Sequence, residues 1–276
     1  QMTSEMTPLK LVFTVTVFLL AGLSQARGQV CGISGSKLNS SCGEVIDLHS
    51  LEFEILYAFE KSVSGWDGNG SLTPMNVNGS EAAIGSGLFF RMTFGAFRNT
   101  EIGAMADSEA DEASLGIKWM PFHNGGTSLA VAGGMKISFG ENVTDPDTEI
   151  ASVHSCVSGA LLFSQEITRE VSVDLNAGYS IPVAGDLIPA WGCVNLCCDF
   201  GWFLLDGRLQ AVLGTGYRSG FSREKHERFS LVTLYPGITV TAGRNFEILV
   251  AMPHDLYGIN HPGTRSVICA LTMMIR

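Results

Sequence analysis

Two clusters of residues contain the side-chain types from which metal sites are built. Cys193, Cys197 and Cys198 offer thiolates, and His254 and His261 offer imidazoles in a segment rich in turn residues. Cys197 and Cys198 are adjacent, so on a β-strand they point to opposite faces and cannot chelate one ion together. Two loop histidines are too few ligands for a structural site. We therefore expect no metal and no cofactor.

Catalytic motifs are missing from the sequence as well. It contains no nucleophile elbow, phosphate-binding loop, zinc-protease helix or dinucleotide fingerprint, and Gly214-Thr215-Gly216 lacks the spacing and the following helix of such a fingerprint. The net charge of −10 makes nucleic acid a poor partner. These features predict neither an enzyme nor a nucleic-acid-binding protein.

A third group consists of charged residues that alternate with apolar ones. In a membrane pore, charges on the inner wall set ion and solute preference, whereas in a narrow closed barrel they would form a salt-bridged interior. Because both signs occur in this group, strong ion selectivity is not expected. The candidate lumen-facing residues are Glu52, Arg91, Lys118, Lys136, Asp174, Asp199, Arg208 and Glu247.

The elements that must position these charges are β-strands, because apolar residues recur at every second position from residue 45 onward. Leu51, Phe53 and Ile55, for example, alternate with Glu52 and Glu54. Several runs reach about 11 residues, the length at which a tilted strand crosses a membrane. The twelve predicted strands are residues 45–60, 84–95, 100–106, 111–121, 127–140, 150–165, 170–181, 192–205, 208–219, 229–241, 246–254 and 265–276.

The connections between these strands alternate in kind. Five are short turns, at residues 96–99, 122–126, 166–169, 206–207 and 242–245, and the others are mostly longer and rich in Gly, Asn, Ser, Asp or Pro. Short turns at one end and longer loops at the other are typical of outer-membrane barrels. The predicted fold is all-β: a single transmembrane antiparallel up-and-down β-barrel of about 12 strands, of the bacterial outer-membrane type. A soluble β-sandwich with a similar alternation is the alternative.

Two local features refine this prediction. Asp206-Gly207 is a preferred two-residue hairpin turn, which places Leu205 opposite Arg208 and Trp202 opposite Ala211. Aromatic residues fall near predicted strand ends on the apolar face, where they would form a girdle at the lipid interface. The members of this predicted girdle are Trp119, Tyr179, Trp202 and Tyr217.

The N-terminal region predicts export. Lys10 precedes an apolar run at residues 11–23, and small Ala26 and Gly28 fit a cleavage site before Gln29. We therefore expect a signal peptide at residues 1–28, a periplasmic segment at 29–44 and the barrel at 45–276. An exported protein permits disulfides, and Cys31 with Cys42 could close a small loop before the first strand.

Four segments resemble a known family: FFRMTFGAFRNTEIGAMA (89–106), ASLGIKWMPF (113–122), TSLAVAGGMKISFGE (127–141) and YPGITVTAGRNFEILVAMP (235–253). Their order of hairpins resembles the outer-membrane transporters named for the meta-pathway of phenol degradation. Such proteins are regarded as passive barrels, some associated with uptake of aromatic compounds. This chain departs from bacterial barrels in ending Met273-Met274-Ile275-Arg276, without the usual C-terminal aromatic residue.

Pattern and resemblance together predict an outer-membrane barrel that acts as a passive, weakly selective channel for small molecules, including aromatic or hydrophobic ones. A closed barrel that acts through its loops, or a soluble secreted β-domain, are the alternatives. The expected partners are outer-membrane lipid, the barrel insertion machinery and a small-molecule solute.

Overall fold

A computed structural model describes residues 33–35, 38–74, 84–139, 155–184, 192–221 and 228–276. The predicted signal peptide, residues 1–28, lies outside the described residues. The strands are β1 (Leu51–Trp66), β2 (Leu72–Pro74), β3 (Ile84–Phe97), β4 (Thr100–Asp107), β5 (Glu112–Asn124), β6 (Thr127–Ser138), β7 (Ser155–Glu166), β8 (Val171–Ala184), β9 (Cys193–Leu204), β10 (Leu209–Phe221), β11 (Arg228–Ala242), β12 (Phe246–Ala251), β13 (His254–Ile259) and β14 (His261–Ile275). Within this part of the chain, no helix has the length and apolar character needed to cross a membrane.

These strands form one antiparallel sheet that closes on itself. From β3 to β11 each strand pairs with the next one in sequence, β3 also pairs with β1, and β14 pairs with β1 from Leu51↔Ile275 to Trp66↔His261. The barrel wall has twelve positions, because β2 only extends β1, and β12 and β13 share one position beside β11. The predicted 12-stranded up-and-down barrel is confirmed. A sandwich of two stacked sheets is wrong for this chain.

The register at one hairpin was predicted residue by residue. Trp202 pairs with Ala211, Phe200 with Leu213, and Leu196 with Tyr217, as the Asp-Gly turn requires. Asp206 and Gly207 both have positive φ, 56° and 81°, and the Arg208 N–H donates to the Leu205 carbonyl at 3.2 Å. Leu205 also has a positive φ, 51°, and the Gly207 N–H donates to the Leu204 carbonyl at 3.1 Å, so the connection is a four-residue loop at 205–208 and not the predicted two-residue turn. The regular ladder stops one pair earlier, at Leu204↔Leu209.

Two regions differ from the predicted strand bounds. The first strand begins at Leu51, six residues later than predicted, because residues 45–47 turn into the barrel instead of joining the wall. The residues between the last two predicted strands, 255–264, are expected to form a loop but are largely paired within β13 and β14. The break in strand pairing lies earlier, at Met252 and Pro253. Pro253 has no N–H to donate, and its carbonyl accepts from Ser266 N–H at 3.0 Å.

The distribution of side chains is the reverse of that in a soluble protein. On β5, Leu115, Ile117 and Trp119 are more than half exposed, whereas the alternate residues Ser114 and Lys118 are buried. The same alternation continues around the wall, so the outer surface is an apolar band. Exposed apolar surface on this scale is unfavourable in water and favourable in hydrocarbon.

Candidate functional site

The charged residues predicted to face the lumen lie on the inward face of the wall, with one exception. Glu52, Arg91, Asp174, Asp199 and Lys118 are buried, and Lys136 and Glu247 are partly buried on the same face. Arg208 lies outside the interior, exposed in the turn between β9 and β10. Arg208 has the sequence spacing of an inward-facing residue of β10, but the strand pairing ends at Leu209, so Arg208 lies in the turn.

The interior is not an empty tube, because residues 33–35 and 38–47 lie inside it. We call these residues the plug segment. They belong mostly to the region 29–44, for which the sequence predicts a periplasmic location; the described part lies within the barrel instead. The segment has no alternating pattern, so its position could not be predicted from periodicity.

Both ends of the plug segment are anchored at one carboxylate, that of Glu101 on β4. Its Oε1 accepts from the Ser34 N–H at 2.8 Å and from the Ser34 hydroxyl at 2.7 Å. Its Oε2 accepts from the Ile46 N–H at 3.0 Å. Residues 34 and 46 are thereby held side by side, and the described residues between them extend across the lumen and back. Glu101 is fully buried and was not among the predicted site residues.

The middle of the plug segment is held by Asp199 on β9. Its Oδ2 accepts from the backbone N–H groups of Leu38, Asn39 and Ser40 at 3.2, 2.9 and 2.9 Å, and from the Ser40 hydroxyl at 2.8 Å. Successive N–H groups that converge on one anion form a nest, which stabilises negative charge without a cation. Hydrogen bonds to a charged group contribute about 1.5–3 kcal/mol each. This nest therefore makes Asp199 a principal anchor of the plug.

Two cations add further polar contacts between the wall and the plug. The Lys118 Nζ lies 3.1 Å from Glu101 Oε1, and it donates to the Ser34 hydroxyl at 2.6 Å and to the Cys42 carbonyl at 3.3 Å. Arg91 donates to the Ile33 carbonyl at 3.0 Å and pairs with Glu52 at 2.7 Å. Both cations join the wall to the plug.

The proximity of Ser34 and Lys118 does not create a catalytic pair. A lysine that activates a serine must be neutral, since only the free amine can accept the hydroxyl proton. Lys118 is instead paired with Glu101 in a fully buried contact, and the Ser34 hydroxyl donates to that same carboxylate. Ser34 is also buried, out of reach of a substrate. The arrangement serves as an anchor.

An apolar pocket in the wall receives the Ile33 side chain. It is formed by inward-facing Met120, Ala130, Ala132, Ala160 and Leu162, with Val45 of the plug packed beside it. Burying an isoleucine side chain contributes about 1.5–3 kcal/mol. The interior is therefore polar at its anchors and apolar beneath Ile33.

Close backbone contact also fits the plug to the wall. A Cβ at Gly95 would overlap the carbonyl oxygen of Asp47, where the chain leaves the lumen, and a Cβ at Gly43 would lie 2.8 Å from the Ser128 carbonyl oxygen. Glycine is the residue that permits such approach.

The half of the interior nearer the longer loops differs. Lys136 pairs with Glu112 at 3.1 Å, and their side chains remain 19% and 25% exposed. Arg218 donates to the Cys193 thiol at 3.3 Å and lies over the Phe229 ring at 5.6 Å. The carboxylates that anchor the plug segment, Glu101 and Asp199, are different side chains from these. This half of the lumen is accessible to water.

The predicted girdle residues lie on the outward face. Trp119 and Trp202 lie near the short turns, and Tyr179 and Tyr217 lie nearer the loops. The Tyr217 hydroxyl accepts from Arg228 at 2.8 Å. Their role as membrane anchors stays a prediction.

The cysteines occupy separate environments. Cys197 faces the interior and Cys198 faces outward, as strand geometry requires for adjacent residues. Cys42 has a free thiol that donates to the Glu44 carbonyl at 3.4 Å, and burial raises the pKa of this thiol. Its predicted disulfide partner, Cys31, lies outside the described residues, so that pairing stays a prediction.

His254 and His261, the predicted loop histidines, are not arranged as ligands with the neighbouring Asp255. Asp255 points into the wall, where its two oxygens accept from the hydroxyls of Thr233 and Thr264 at 2.6 Å each. His261 places its Nδ1 2.7 Å from the Pro262 carbonyl oxygen. Among the described residues, no three or more His, Cys, Asp or Glu side chains are grouped to hold a metal ion.

Solved structures with this fold are outer-membrane barrels. The chain resembles an outer membrane channel from Pseudomonas putida F1 with a TM-score of 0.66 and 10% identity, over 84% of this chain and 97% of that one. It also resembles the NanC porin, with a TM-score of 0.52, 4% identity and coverage of 80% and 98%. The KdgM porin follows, with a TM-score of 0.50, 9% identity and coverage of 81% and 99%.

At these identities the likeness establishes the fold and no more. No protein-family model matches the chain, and no curated protein matches it. The resemblance to the family named for phenol degradation therefore stays a prediction.

Proposed function

We propose that this protein is an outer-membrane channel for small molecules, and that the plug segment closes its lumen in the state described. The observation that carries the proposal is the plug segment itself. A segment that crosses the lumen on two carboxylate anchors is attached mainly by hydrogen bonds, which can be exchanged for water if the segment leaves.

The proposed location is the bacterial outer membrane, reached by signal-dependent export. The outward apolar band supports it, as does the outer-membrane origin of the barrels with this fold. The proposed solutes are small molecules, including aromatic or hydrophobic ones, taken up passively. The partly exposed Lys136–Glu112 pair fits a wall that meets a solute in water.

A closed structural barrel is the second candidate. It is favoured by the complete burial of Lys118 and Glu101, since a permanently filled interior needs such pairs. The two candidates differ in whether removing the plug opens a path.

Conductance across a planar bilayer separates them. We expect the intact chain to conduct rarely, and a variant lacking residues 29–47 to give sustained stepwise conductance, because the deletion removes the plug and leaves every wall strand in place. In that variant, Lys136→Glu should shift the reversal potential towards cation preference. Arg208→Glu is the matched control and should leave it unchanged, since Arg208 lies outside the interior. A refolded deletion variant that retains its heat-dependent gel shift but stays silent would favour the closed barrel.

A further inference from the structure

The lipid-facing surface contains a groove that the proposed channel does not use. It lies on the outer wall across β6–β11 and has a volume of about 480 Å³. Its floor is formed by the small residues Ala177, Cys198 and Thr215, and its sides include Leu161, Leu196 and Tyr217.

The register explains why a hollow forms there. Ala177 lies between Leu161 and Leu196 on neighbouring strands, and Cys198 pairs directly with Thr215. Small side chains project less far from the sheet than the large ones beside them, so a depression forms above the small ones. Elsewhere on the outer wall, bulky residues pair directly, as Trp119 does with Val131 and Ile117 with Ile102.

A positive charge lies at one end of this groove. Arg228, the first residue of β11, is exposed on the same outward face. It donates to the Tyr217 hydroxyl at 2.8 Å and to the Ser219 hydroxyl at 3.3 Å. These two bonds to described residues use Nε and one Nη and hold the guanidinium at the rim. The rim lies towards the longer loops, which in outer-membrane barrels face the cell exterior.

We propose that this groove binds a phosphorylated glycolipid of the outer leaflet, lipid A. An acyl chain occupies the hollow, and a phosphate pairs with Arg228. Within the membrane the acyl chain is surrounded by hydrocarbon in either place, so the hollow selects it by shape and van der Waals contact and the charge supplies the specificity. The planar fork of an arginine matches phosphate oxygens in a bidentate way that a lysine cannot reproduce. Tyr217 lies where tyrosines anchor at a membrane interface.

The occupant follows from this pairing of groove and charge. A second copy of the chain would need a complementary acidic group on the outward face, whereas a phosphorylated lipid supplies an acyl chain and an anion in one molecule. The proposal rests on the membrane location proposed above but not on conduction.

Native mass spectrometry of the full chain in detergent micelles, titrated with diphosphoryl lipid A, tests the proposal. We expect one tightly bound lipid A, and about tenfold weaker binding in Arg228→Ala, equivalent to about 1.4 kcal/mol. Arg228→Lys should recover only part of the loss. Ala177→Phe, which fills the groove without changing charge, should weaken binding as well.

The matched control is Arg265→Ala. Arg265 is also exposed on the outward face near the loops, but on β14, away from the groove. Equal losses in Arg228→Ala and Arg265→Ala would overturn the proposal, as would equal affinity for phosphatidylethanolamine or for a phosphate-free diacylglycerol. Conductance measured on the same preparations keeps the two proposals apart, since a conducting barrel without lipid A preference contradicts only this one.

Discussion

The interior holds two lysine–glutamate pairs with the same 3.1 Å separation and different surroundings. Lys118–Glu101 lies under the plug with both side chains fully buried, whereas Lys136–Glu112 lies towards the loops with side chains 19% and 25% exposed. In the first pair, each charge depends on its partner because water is excluded. In the second, water can solvate either charge alone. The plug segment therefore divides one continuous wall into a sealed half and a wet half.

The largest expected effect is on stability. Lys118→Met should lower the free energy of unfolding by about 3–5 kcal/mol, because it leaves Glu101 buried without its cation. Lys136→Met, the matched change in the wet half, should cost about 1 kcal/mol or less. Urea titration followed by tryptophan fluorescence in detergent measures both. Equal losses would mean that the plug does not seal its half.

The next effect is on the docking of the plug. Asp199→Asn removes the charge at the nest and should make the plug leave its site about 10 to 100 times more often, matching the loss of about 1.5–3 kcal/mol. Maleimide labelling of Cys42 reports this, in a chain whose other cysteines are alanine. Asp255→Asn is the control, because Asp255 is also a buried carboxylate of the wall. In the described part of the chain it accepts hydrogen bonds from Thr233 and Thr264, which belong to the wall and not to the plug. If both variants accelerate labelling alike, the nest is not a specific anchor.

The smallest effect is a pH dependence of the same labelling. Burial raises the pKa of the Cys42 thiol in the docked plug, so docking favours the neutral thiol. The corresponding stabilisation is present below the ordinary thiol pKa and is lost as pH rises through the raised value. The labelling rate of both molecules rises with pH. We expect this rise to occur at a higher pH in the intact chain than in a free cysteine peptide. In Asp199→Asn the two profiles should approach each other, and coincident profiles in the intact chain would contradict the desolvation of the Cys42 thiol in the docked plug.

Most of the wall could be predicted because its pattern is local. Predicted strands such as 100–106 and 229–241 lie within two residues of β4 and β11, and the Asp206-Gly207 turn predicted the pairs of its hairpin. The same alternation predicted which residues of the wall strands face inward, as Lys118 on β5 and Asp174 on β8 illustrate. Arg208 was misplaced because alternation does not reveal where a ladder ends.

The sequence by itself determined that the chain is a barrel and which face of each strand is apolar. Side chains on a strand alternate with a period of two whatever the partner strand is, so this information is carried by neighbouring residues. Only the tertiary structure decided that residues 33–35 and 38–47 enter the lumen and that Glu101 and Asp199 hold them. Those contacts join single polar groups up to 161 residues apart. Such distant pairings leave no periodic pattern in the sequence, and they form only once the closed wall brings its carboxylates around one enclosed space.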